Sequence, residues 1–88
     1  MNGLEVEAIH DMGESKFRKM ACESNATSVI QIQVIEVSDG GWAILGPFGI
    51  YRAPDRTKVF QDLAPVHALL RSWGVRKFLE AGQVKVFP

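Results

Sequence analysis

The sharpest alternation of apolar and polar positions lies in the last third of the chain. From Arg56 onward a turn signal leads to a short apolar run, then to an apolar stripe of helical period, then to strand-like residues. Leu63, Val66, Leu69, Leu70 and Trp73 fall on one face of a 3.6-residue repeat, with Ala64, Ala68, Arg71 and Ser72 away from it. The spacing predicts a helix over residues 63–73. Asp62 stands where a cap belongs, Pro65 sits in the first turn, where a missing N–H does no harm, and Gly74 is placed to end the helix. Residues 75–79 and 83–87 are short strand candidates around Ala81-Gly82.

Upstream, residues 27–38 are rich in β-branched side chains, and Ile30, Ile32 and Val34 alternate with Gln31 and Gln33. The phase then slips, because Ile35 and Val37 are apolar as well. Either a bulge near Val34–Ile35 or cover on both faces reconciles the two halves. Asp39-Gly40-Gly41 reads as a hairpin turn, residues 42–45 as its returning strand, and Gly46-Pro47-Phe48-Gly49 as a second reversal. Residues 50–52 continue as a third strand. Ala53-Pro54-Asp55-Arg56 turns again, and residues 57–60 pair briefly.

The start of the chain is less regular. Leu4, Val6 and Ala8 alternate with Glu5 and Glu7, as in a strand. Residues 11–25 read either as a helix or as a polar leader. The helix would be capped by Asp11, with Glu14 at capping-box spacing and Phe17, Met20 and Ala21 on one face. The expected architecture is α+β: a small antiparallel or mixed sheet built as a meander, one amphipathic helix packed on one face, and a return strand. Residues 1–88 form a single domain, with a compact core over residues 27–88 and a partly disordered leader or short helix over residues 1–25.

Composition narrows the class. Eighty-eight residues, 47% hydrophobic and 23% charged, suit one ordered domain with a small core, for which self-association is a common source of added stability. Cys22 is the only cysteine, so an internal disulfide and a thiolate-rich zinc site are excluded and a reducing, cytoplasmic setting is expected. The apolar stretch over residues 40–51 is too short and too broken by glycine and proline to span a bilayer. No cofactor is implied. Formal net charge is zero but uneven. Residues 1–40 hold three basic side chains against seven acidic ones, a balance of −4, and residues 41–88 reverse it to +4. Such asymmetry marks a basic binding face or two halves that attract each other in the fold.

Little in the sequence points to catalysis. His10 and His67 lack metal-motif spacing, and the glycine turns lack the lysine and helix start of a phosphate cradle. A Cys22–His10–Asp11 arrangement can be drafted, but nothing local activates the thiol. The basic residues of the second half are the candidate site. Arg52, Arg56 and Lys58 flank one turn, and Arg71, Arg76 and Lys77 surround the end of the helix. With Tyr51, Trp42 and Phe48 among them they would hold phosphates and stack on bases. The competing account places Arg71, Arg76 and Lys77 at the negative end of the helix dipole and the aromatics in the core.

The stretch Lys58-Val59-Phe60-Gln61-Asp62-Leu63, continued by Leu70-Arg71-Ser72-Trp73-Gly74-Val75-Arg76-Lys77-Phe78, resembles small uncharacterised proteins of bacterial plasmids and other mobile elements. The resemblance implies a bacterial accessory protein and brings no catalytic residues. The expected function is non-catalytic binding: a protein-interaction or regulatory module that self-associates, as a homodimer through an exposed strand edge. The alternative is a nucleic-acid-binding accessory protein using the basic second half.

Overall fold

The computed structural model describes residues 10–38 and 40–88. Six strands and two helices follow in the order β1 (Asp11–Met12), α1 (Glu14–Thr27), β2 (Gln33–Glu36), β3 (Trp42–Gly46), β4 (Gly49–Tyr51), α2 (Leu63–Ser72), β5 (Lys77–Glu80) and β6 (Gln83–Val86). The strands form one mixed sheet in the order β1-β4-β3-β2-β5-β6. β1 pairs parallel to β4 and β2 parallel to β5, while β2–β3, β3–β4 and β5–β6 are antiparallel. It follows that β1, β2, β4 and β5 all run one way.

The chain therefore makes two helical crossovers, β1-α1-β2 and β4-α2-β5, each followed by a hairpin strand. Both crossovers step across the sheet in the same direction. Two crossovers of one hand that step the same way put their helices on the same face, and a single core joins both helices to one side of the sheet. Phe17, Met20 and Ala21 of α1 and Val66, Leu70 and Trp73 beside Val34, Ile44, Tyr51 and Phe78 make up that core. The expected meander is thus one part of a larger mixed sheet, and two helices, not one, pack on it. The compact unit begins before residue 27, because Phe17 is fully buried and stacks on Trp73 at 5.2 Å between ring centres.

The phase slip in β2 resolves without a bulge. Its register runs unbroken, Gln33 to Leu45, Val34 to Ile44, Ile35 to Ala43 and Glu36 to Trp42. Ile32 and Val34 enter the helix-side core, while Ile35 and Val37 meet a second apolar cluster with Ala43, Leu45, Ile50 and Val59. Both faces of the central strands are covered, so apolar residues are tolerated at consecutive positions. The strand is also shorter than expected, because Thr27 belongs to α1 and Ser28 closes that helix at φ 63°.

Neither expected helix cap forms. Gly13 occupies the cap position of α1, and Asp11 is instead in β1 with its carboxylate 2.8 Å from the Lys58 ammonium. Asp62 does occupy the cap position of α2 but makes no side-chain bond there. Gly74 follows α2 at φ 83°, as expected of a residue that ends a helix. The hairpin turn holds through Gly40, whose N–H donates to the Val37 carbonyl. Phe60 pairs with Trp42 as a single bridge, the brief pairing expected of residues 57–60. The strand reading of Leu4, Val6 and Ala8, and Asp39 of the turn, lie outside the described residues.

Candidate functional site

The seven residues singled out from the sequence divide three ways. Arg52, Arg56 and Lys58 cluster at one edge of the sheet, around the turn of residues 53–57. Lys58 and, at 3.8 Å, Arg52 both face Asp11, so two of these three charges are already engaged by a carboxylate. The Lys58 ammonium bonded to it holds the Asp11 carboxyl below its ordinary pKa, with Arg52 adding to the effect. Arg56 is exposed at the tip of the turn, with φ 73°.

Arg71, Arg76 and Lys77 lie at the far end of α2. The Arg71 guanidinium sits 4.5 Å from the centre of the Phe87 ring, a cation–π contact that holds the C-terminal residues against the helix. Phe87 also packs on Phe78 and His67, and His67 bonds to Glu80. Arg76 and Lys77 line a polar cleft of about 210 Å³ with Ser24, Asn25 and Ser28. That cleft abuts the carboxyl end of α1, where the helix dipole favours cations over anions. The carboxyl end of α2 is tied down by α1 instead of by its own basic residues. Arg18 donates to the Ser72 carbonyl at 2.9 Å, and Asn25 Nδ2 donates to the Gly74 carbonyl at 2.8 Å.

Tyr51 is in the core. It is 2% exposed, edge-on to Phe17 and Trp73 and stacked with Phe60, so its ring has no free face for a base. Trp42 packs against the same core. Phe48 alone of the three aromatics points outward, 78% exposed on the turn between β3 and β4.

Two surfaces stand out from this survey. The first is the cleft that Phe48 borders, about 310 Å³, formed by β1, α1, the residue before Ile32 and the β3–β4 turn. Met12 and Met20 form its floor, and Lys16, Lys19 and the carboxylate Glu23 of α1 line it together with His10 and Gln31. The turn that carries Phe48 is tightly held. A Cβ on Gly46 would lie 2.7 Å from Met20 Cε, and one on Gly49 would collide with the His10 carbonyl. Phe48, grouped in the sequence with the basic residues of the second half, lines a cleft with Lys16 and Lys19 instead. The i, i+3 spacing of those two lysines on α1 was the available signal.

The second surface is the edge strand β6. All four of its residues are exposed, Val84 at 56% and Val86 at 62%, and among the described residues it pairs only with β5. Ala81 and Gly82 form a two-residue turn with φ 50° and 81°. That turn makes Glu80–Gln83 a hydrogen-bonded pair, and the alternation along the ladder follows. Phe87 N–H to Arg76 carbonyl, 2.9 Å, continues it. The backbone N–H and C=O groups of Val84 and Val86 therefore point away from β5. Val84 lies opposite the half-buried Leu79, so both belong to the sheet face away from the helices.

Among the described residues no helix is long and apolar enough to cross a membrane, and no three His, Cys, Asp or Glu side chains gather as metal ligands. Cys22 is exposed on α1. Comparison with protein-family models, with curated proteins and with solved structures finds no match.

Proposed function

We propose that the chain is a small non-catalytic interaction module, regulatory or accessory in role, that self-associates through β6. The observation that carries this reading is the pair of exposed valines on a strand whose outer backbone groups are free to pair. An unpaired strand edge is a template for another strand, and a second copy supplies the most symmetrical one.

The symmetry restricts the register. Two antiparallel edges related by a two-fold axis keep their faces, so directly opposed residues must point the same way. The axis then passes through a residue and not between two. Centred on Val84, it joins Val84 to Val84 of the second copy by two N–H···O=C bonds and sets Gln83 against Lys85. Centred on Lys85, it pairs Val84 with Val86 of the second copy on both sides of the axis but opposes two like charges across it. The Val84-centred register is favoured because it keeps the two Lys85 ammonium groups apart. Lys85 thus disfavours the register centred on itself, in keeping with the use of lysine on exposed strands.

Sedimentation equilibrium over a wide protein concentration range tests the reading. The wild type should show a monomer–dimer equilibrium, and Val84→Lys, which would oppose two lysines on the axis, should weaken it by more than about tenfold. A wild type that stays monomeric at the highest concentration, or a Val84→Lys variant that dimerises as well as wild type, rejects it.

A further inference from the structure

We infer that the cleft beside Phe48 binds single-stranded nucleic acid, taking one base on the Phe48 ring with the flanking phosphates on Lys16 and Lys19. This site is separate from β6 and does not rest on self-association. Its cations come from residues 1–40, and Arg71, Arg76 and Lys77 do not line it.

Phe48 is a large aromatic side chain left 78% exposed on the β3–β4 turn, whose flanking glycines Gly46 and Gly49 lie close against Met20, Met12 and the His10 carbonyl. A base stacked on that ring removes its exposed aromatic surface from water. Lys16 and Lys19 stand one helical step apart on the adjacent wall, and neither is in an ion pair among the described residues. An aromatic platform beside unengaged ammonium groups is the pattern that reads an unstacked base and its backbone. The methionine floor adds polarisable contact surface for a flat ring.

Size and shape select the occupant. A volume near 310 Å³ is at the lower end for ligand sites, enough for one base and too small for a long apolar chain. In a strand the nucleotides on either side bring further phosphates to Lys16 and Lys19, whereas a mononucleotide offers one. Duplex is disfavoured because its bases are already stacked on each other and offer no face to the ring.

The test is fluorescence anisotropy of labelled ten-nucleotide DNA and RNA single strands at low salt. It is paired with NMR of the protein carrying ¹³C-methyl methionine, whose Met12 and Met20 methyls line the cleft. Binding should shift both methyls, and affinity should fall as salt rises. Phe48→Ser should weaken binding by about tenfold or more, and Lys16→Gln with Lys19→Gln should flatten the salt dependence. Phe48→Leu, which keeps an apolar side chain on the turn, should weaken it nearly as much, separating loss of stacking from loss of fold. Absence of binding at low salt overturns the proposal. So does binding that leaves the methionine methyls unmoved, or a mononucleotide that binds as tightly as the ten-mer.

Discussion

Three residues other than glycine adopt backbone conformations that their side chains disfavour. Ser28 closes α1 at φ 63°, Ala81 sits at φ 50° in the β5–β6 turn and Arg56 at φ 73° in the turn of residues 53–57. The left-handed region crowds a Cβ against the following carbonyl, and in two-residue hairpins asparagine or glycine is the usual first residue. Ala81→Asn should stabilise the protein by about 0.5–1 kcal/mol, read as a rise of a few degrees in Tm. A second residue-scale effect concerns acid. The folded-state pKa of Asp11 is lowered by the Lys58 ammonium. Its contribution to stability is therefore fully present above the unfolded value, near about 3.9, and is lost as pH falls through the lower folded value. Lys58→Met should remove that increment. Urea midpoints taken from near neutrality down into the acid range should then fall less steeply for the variant than for the wild type, and the difference should be small because the pair is partly exposed.

At the scale of elements, one ring holds the two helices and the sheet together. Phe17 of α1 stacks on Trp73 after α2 and meets Tyr51 of β4 edge-on. Phe17→Ala should cost about 3–5 kcal/mol, a large share of the stability of a domain this size, with loss of near-UV circular dichroism before far-UV signal in a denaturant series. Which elements exist was largely legible from residue order. The α2 stripe, the Gly74 stop, both hairpin turns and the β5–β6 pair all follow from local period and turn chemistry. The failures have a common cause in tertiary competition. Asp11 has the chemistry of a helix cap, but a lysine 47 positions later takes its carboxylate. Tyr51 stands next to an arginine yet faces the core, because β4 is covered on both sides and alternation no longer separates inside from outside. Arg18 and Asn25 bond to the end of α2 through a packing that spacing within α1 cannot reveal.

For the whole molecule, the two crossovers make a β-α-β-β unit occur twice without any repeat in the residues. The first unit folds its hairpin strand inward beside β4, and the second turns it outward, which leaves β6 as an edge. The self-association proposed for that edge has a thermodynamic signature: a Tm that rises with protein concentration in the wild type and does not in Val84→Lys.

The placement of β5 next to β2 bears on how the protein is made. A nascent chain completes the β2–β3–β4 sheet and can add β1 to one side of it, but β2 keeps an open edge until the residues after Gly74 leave the ribosome. Until then that edge can accept a strand from a neighbouring chain as readily as its own. The residues after Gly74, which carry both the buried Phe78 and the fully exposed strand β6, are thus the part that closes the interval in which synthesis is most open to aggregation.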